Sequence, residues 1–185
     1  MTNPVNAAPI IRFPELPSVP WGKNNGRVKE LAAGAGWRLS VASIDKPGAF
    51  TSFPGMDRIT VPVEGELLVL TVDGAEHGTE KFRPFRYSGD AAAEAALPTG
   101  PVTVLNTFAD RTTTGAAVMV AELSKKNPQT LGAGQFLVLL HGSATVTADG
   151  GTAALEPLDA VAGADERPSV LGRGFAAVVS FYDLD

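Results

Sequence analysis

Short apolar runs, cut by glycine, proline and aspartate turns at near-regular intervals, restrict this chain more than any other feature. Ile59, Val61 and Val63 alternate with Thr60, Pro62 and Glu64. Leu67–Val72 is a nearly continuous apolar run that ends at Asp73-Gly74, a hairpin signal. Val102, Val104, Asn106 and Phe108 share one face of an extended run; Ala117, Met119, Ala121 and Leu123 share one face of another. Phe136–Leu140, Ala144–Ala148 and Phe175–Tyr182 continue the series. Period-two patterning bounded by such turns predicts an all-β antiparallel sandwich or barrel. Ala91–Ala96 is the run that reads equally well as helix or strand.

The series also echoes itself. Val61-Pro-Val-Glu-Gly65 leads into Leu67–Val72, Asp73-Gly74 and then Gly89-Asp90. Val138-Leu-Leu-His-Gly142 leads into Ala144–Ala148, Asp149-Gly150 and then Leu158-Asp159. The shared order is strand, glycine, strand, Asp-Gly turn, strand, Asp-centred turn, which suggests two similar β-units in tandem. A length of 185 residues fits one large β-domain or two small fused halves. Prolines 4, 9, 14, 17 and 20 predict an extended N-terminal arm with at most one short edge strand, at Ile10–Phe13.

Composition excludes several classes of function. The hydrophobic fraction of 44% supplies a core, and a charged fraction of 19% leaves much of the chain for buried strands. The net charge is −5 with no basic stripe, so nucleic acid is not an expected partner. No cysteine is present, which rules out disulfides and thiolate metal sites. Met1–Pro20 lacks the basic and apolar regions of a signal peptide, and no apolar run is long enough for a bilayer. The expectation is a soluble cytoplasmic protein. No Gly-x-Ser-x-Gly elbow is present, and Gly132-Ala133-Gly134 has no following Lys-Ser/Thr for a phosphate loop. Glu64 and Glu66 flank Gly65 and read either as an acid–base pair or as a solvated rim.

Trp37–Arg58 holds the densest group of candidate site residues. Trp37–Ile44 reads as a strand, Asp45-Lys46-Pro47-Gly48 as a turn, and Phe50–Arg58 brings two phenylalanines, a Pro-Gly turn and an Asp-Arg pair before the next strand. Two readings stay open. Phe50 and Phe53 plug the end of the fold while Asp57 and Arg58 pair on the surface, or the rings wall a site that Arg58 serves. Arg38 alternates with Trp37 and Leu39, so it faces away from them and reads as structural.

Several words, in order, carry a resemblance. They are Trp21 with Lys23-Asn24 and Gly26; Trp37-Arg38-Leu39-Ser40; Phe53-Pro54-Gly55-Met56-Asp57-Arg58; Pro84-Phe85 with Gly89-Asp90; and Gly100-Pro101-Val102 with Leu105-Asn106. Together they resemble the HutD/Ves family of bacterial bicupins over roughly the first two thirds of the chain. The remainder resembles a generic cupin half. The resemblance implies two tandem jelly-roll halves in one unit: an arm at 1–20, a first half at 21–115 and a second at 116–185. It also implies metal-independent binding of a small anionic metabolite, N-formylglutamate being the candidate, with a regulatory role in histidine utilisation and no established enzymatic activity. Pairing through sheet edges into a homodimer is open to such a fold. Two departures from the family pattern, Gly22 within the Trp-Lys-Asn run and Phe108 where methionine is usual, bear on the shape of the pocket.

Catalytic cupins hold a metal with histidines and a carboxylate. His77 and His141 are the only histidines, and Glu66-Leu67-Leu68-Val69 stands where a His-x-His motif belongs. No metal and no cofactor is therefore expected. The alternative is a cupin isomerase or hydrolase working by carboxylates or by an atypical metal site on His77 or His141. A pocket for a carboxylate ligand needs a fixed cation, a polar donor and apolar walls. Arg58 supplies the cation. Asn106, on an otherwise apolar face, supplies the amide. Lys23 and Asn24 sit in a turn that closes over the pocket or is simply solvated. Trp37, Phe53 and Phe85 are candidate walls, each of which also reads as core.

Overall fold

The computed structural model describes residues 10–21 and 26–185. Among them, all regular structure is strand apart from one turn of 3-10 helix at Phe13–Glu15. No helix is long and apolar enough to cross a membrane. The strands run in chain order: β1 Ile10–Ile11, β2 Val19–Trp21, β3 Gly26–Gly34, β4 Trp37–Ile44, β5 Gly48–Ala49, β6 Met56–Glu64, β7 Leu67–Val72, β8 Ala75–Glu80 and β9 Phe85–Ser88. They continue with β10 Ala93–Ala96, β11 Val102–Asp110, β12 Thr114–Leu123, β13 Gln129–Thr130, β14 Gln135–Ala148, β15 Gly151–Leu155, β16 Ala160–Ala162 and β17 Ser169–Asp183. The ladders whose registers are resolved are all antiparallel, and they make three open sheets rather than a closed barrel.

The chain forms two compact units, and both termini cross over. One unit joins residues 10–15 to Ala117–Phe181; the other joins Leu16–Ala116 to Tyr182–Asp185. The N-terminal segment therefore does not stand free. Ile10 and Ile11 pair with Val161 and Ala160 at the edge of a seven-stranded sheet, in the order β1-β16-β14-β17-β12, with β15 on β14 and β13 on β17. The core of that unit is aliphatic, with Leu131, Leu137, Leu139, Val146, Leu155, Val161 and Val170 at its centre.

The other unit sets a six-stranded sheet, β2-β3-β4-β11-β6-β9, against a four-stranded one, β5-β10-β7-β8. Ala42, Ile44, Val102 and Val104 of the larger sheet meet Leu68, Leu70, Ala93 and Ala95 of the smaller one. The alanine run is a strand. Ala93 and Ala95 pair with Val72 and Leu70 and are buried, while Glu94 and Ala96 face out. Alanine's helical preference is overridden by pairing with β7 and burial of Ala93 and Ala95 between the sheets.

Candidate functional site

The inner face of the six-stranded sheet changes character along its length. Cross-strand partners project to the same side, so each rung can be read from the register. Val102 opposes Ile44, and Val104 lies between Ala42 and Pro62. The next rung is polar: Asn106 lies between Ser40 and Thr60, with Thr60 opposite Phe85. The rung after that places Phe108 between Arg38 and Arg58, with Arg58 opposite Tyr87. An apolar floor therefore grades into amides and hydroxyls and then into cations. Ser40, Arg58, Thr60 and Asn106 are all buried.

Arg58 is the outstanding feature. It is 1% exposed, the largest of the fully buried side chains. Its guanidinium carbon lies 5.2 Å from the centroid of Phe50, 5.3 Å from Phe53, 5.1 Å from Tyr87 and 4.8 Å from Phe108. Aromatic faces attract a cation but do not accept its hydrogen bonds in line. Nη1 donates to the carbonyl of Thr51 at 3.4 Å, while Nε and Nη2 are buried with no partner. Arg58 makes none of the ion pairs found among the described residues. Burial pulls its pKa down; Tyr87 opposes that shift, and the charge of Arg38 adds to it.

The surface pairing of Asp57 with Arg58 is not found. Successive residues of a strand face opposite ways, and Asp57 pairs with Arg111 at 2.9 Å and with Arg86 at 3.7 Å. Arg111 braces the turn that covers the site. It donates to Asp57, Asp90, Ser88 Oγ and the Met56 carbonyl. Phe53-Pro54-Gly55-Met56 is a Pro-Gly turn closed by Met56 N donating to Phe53 O at 3.1 Å, with Gly55 at φ +77°. Asp90 accepts from Gly55 N at 3.1 Å, so it caps this turn rather than only its own. Hydrogen bonds from Arg111, Gly55 N and Ser88 hold the Asp90 carboxyl below its ordinary range.

Asn106 accepts a hydrogen bond from Thr60 Oγ1 at 2.8 Å, and Thr60 lies 3.2 Å from the Tyr87 hydroxyl. The bond engages the Asn106 carbonyl oxygen. Burial raises the Tyr87 pKa, which keeps the hydroxyl protonated.

Of the predicted residues, Arg58, Asn106 and Phe53 come together. Phe85 joins them from β9, stacked 5.6 Å from Tyr87 and 4.6 Å from His77. Trp37 does not join: it shares the opposite face with Ala109 and Asp57 and packs over Gly34. Lys23 and Asn24 lie outside the described residues. His77 is half-buried on β8, and His141 is exposed at a bulge of β14. Among the described residues, no three His, Asp or Glu side chains gather as a metal site. Sequence reasoning reads Arg38 as structural and leaves Thr60, Tyr87 and Arg111 unmarked; the ladders β4–β11, β11–β6 and β6–β9 single out the first three, and its hydrogen bonds single out Arg111.

Two open clefts lie away from Arg58. One, of about 450 Å³, is lined by Lys125, Ser143, Thr145 and Glu156; the other, of about 770 Å³, by Glu66, Glu80, Lys81 and Thr99. Neither holds an unpartnered buried polar atom. The Arg58 site itself is closed over by Phe50 and Phe53.

The chain's all-β fold is cupin-like. Its structure resembles a cupin 2 conserved barrel domain protein from Leptotrichia buccalis, with a TM-score of 0.63 at 7% identity, covering 95% of this chain and 96% of that one. The chain belongs to the HutD family, whose model matches residues 14–177. It is similar to the HutD of Pseudomonas fluorescens SBW25, at 26% identity and TM-score 0.79, over 95% of this chain and 98% of that one. Two curated relatives match part of it. An uncharacterized 21.2 kDa protein in the hutC 3′ region of Pseudomonas putida is 30% identical over 105 residues, 52% of this chain and 55% of that protein. Protein Ves of Citrobacter koseri is 35% identical over 88 residues, 46% of each. The matches span about half the length of these curated relatives.

Proposed function

We propose that this protein binds a small carboxylate metabolite at Arg58, without a metal, and that binding serves regulation rather than catalysis. The observation that carries the reading is the pair of buried, unpartnered N–H groups on a guanidinium that no carboxylate meets. An isolated buried charge costs several kcal/mol, roughly, and a chain keeps one where an incoming group repays the cost. Carboxylate oxygens accept from a guanidinium in pairs, and Nε with Nη2 is one edge of that fork. The Asn106 amide lies one rung deeper, in place for a formyl or carbonyl oxygen. The ligand reaches Arg58 by displacing Phe50 and Phe53, which sit on a segment whose neighbours Thr51, Ser52, Pro54 and Gly55 are exposed.

The candidate ligand is N-formylglutamate, and the setting is histidine utilisation in the cytoplasm, from the family's association with that pathway. The finer fold reading belongs with it: two tandem jelly-roll halves near 21–115 and 116–185, each built from the repeated strand–glycine–strand–Asp-Gly order. Calorimetric titration of N-formylglutamate, urocanate and glutamate tests the function. N-formylglutamate is expected to bind the wild-type chain and to lose binding in Arg58→Gln. Failure of all three to bind removes this reading of the ligand. Undiminished binding in Arg58→Gln with Asn106→Ala removes the site.

A further inference from the structure

The rung that carries Arg58 carries a second cation. Arg38 on β4 and Arg58 on β6 are both register partners of Phe108 on β11, so all three side chains leave the same face. Each guanidinium carbon lies 4.8 Å from the Phe108 centroid, and the two flank Phe53 at 5.5 and 5.3 Å. Arg38 is half-buried. It makes none of the ion pairs found among the described residues. Contrast Arg86 and Arg111, which Asp57 and Asp90 meet. Two like charges sharing two rings repel each other, and packing alone gives no reason to place them on one rung.

We propose that Arg38 is the second cation of the Arg58 site, so that the pair selects a dicarboxylate, one carboxylate on each guanidinium, over a monoanion of the same shape. The proposal rests on the carboxylate-binding reading above and names its substrate class. The two guanidinium carbons are at most twice the ring distance apart, since each is measured from the same Phe108 centroid. A three-carbon spacer between carboxyl carbons, as in glutarate, can span a separation within that limit. Phe108, fixed on its strand and equally close to both guanidiniums, favours a ligand that reaches around the ring over a compact dianion such as phosphate. Phe53 sits on the turn segment instead of a ladder, 4.6 Å from Phe108, and is the side chain that can leave the space between the cations.

The test is calorimetry of four probes, N-formyl-L-glutamate, N-formyl-L-glutamine, glutarate and inorganic phosphate, against wild type, Arg38→Gln, Arg38→Lys and Arg58→Gln. Circular dichroism establishes that each variant is folded. In wild type, N-formylglutamate is expected to bind at least about tenfold more tightly than N-formylglutamine, the worth of one charge-assisted pair. Arg38→Gln should collapse that ratio to near one while changing N-formylglutamine affinity by no more than about twofold; Arg38→Lys should keep part of the ratio. Arg58→Gln should abolish binding of both. A ratio that survives Arg38→Gln overturns the role of Arg38 and leaves the Arg58 reading intact. Phosphate binding as tightly as the dicarboxylates overturns the substrate class. No binding of any probe to wild type overturns this inference and the proposed function together.

Discussion

Asp57 and Arg58 are neighbours in the chain and opposites in their surroundings. Asp57 lies at the surface between Arg86 and Arg111, while Arg58 is buried among four rings with two N–H groups unbonded. The alternation of a strand turns what reads as an ion pair into a brace on one side and an uncompensated charge on the other. Both serve the same place. The brace fixes the turn that carries Phe53, and Phe53 covers the charge.

Arg58 should therefore cost stability while no ligand is bound. Arg58→Met keeps the unbranched apolar stem as far as the position of Nε, and removes the charge and the orphaned donors. Replacing buried charge by apolar volume is commonly neutral or stabilising. The variant is expected to be more stable than wild type by about 1–3 kcal/mol in urea denaturation. It should also lose N-formylglutamate binding. A less stable Arg58→Met would show that the rings already satisfy the cation.

The polar rung beneath it makes the opposite prediction. Thr60 donates to Asn106 and lies beside the Tyr87 hydroxyl, all three buried. Thr60→Val keeps the volume but leaves the Asn106 carbonyl without a donor. The expected loss is about 1–3 kcal/mol in chemical denaturation. Thr60→Ser keeps the hydroxyl and should lose about 1 kcal/mol for the missing methyl. A Thr60→Val variant as stable as wild type would mean that the hydroxyl contributes nothing.

Much of this was legible in the chain. The period-two runs identify β6 and β11, and Asn106 falls on the face with Val102 and Val104. Less legible was which face of β6 turns inward. Ile59, Val61 and Val63 are buried, and so are Arg58 and Thr60. Alternation marks a half-buried strand, and β6 is covered on both sides, so its polar residues resemble a solvated face. Arg38 faces away from Trp37 and Leu39, as the alternation predicts, though alternation alone reads it as structural. Only the register of β4 on β11 shows that this direction leads to Arg58. Arg111 stands in a polar run with no periodicity, and its four partners come from two separate stretches of chain, 56–57 and 88–90.

The brace gives the turn a dependence on acid. Asp90 is held below its ordinary carboxyl value of 3.8, first by Arg111, then by the Gly55 amide and Ser88. A carboxyl whose folded pKa is depressed contributes stability that is fully present above its unfolded value. That contribution is lost as the pH falls through the lower folded one. The Gly55 amide resonance should thus titrate below pH 3.8 in NMR spectra of the wild type. In Asp90→Asn the step should vanish. A Gly55 titration unchanged in Asp90→Asn would assign the acid response to another group.

In the other unit the comparable anchor is Asp159, the aspartate of the second echo. It is 1% exposed and accepts from Arg12 at 2.7 Å, from Phe13 N at 3.0 Å and from Glu156 N at 3.1 Å. Arg12 follows β1 directly, and its Nη1 also reaches the Ala154 carbonyl. The pair thus fastens the N-terminal segment to the turn before β16. Arg12→Ala leaves a buried carboxylate with backbone donors alone, at an expected cost of about 2–3 kcal/mol. Adding Asp159→Asn removes the stranded charge and should recover part of that loss. The two changes share one contact, so their effects cannot add. Denaturation of wild type, both single variants and the double variant measures the coupling. Strict additivity would show that Arg12 holds the segment by packing alone.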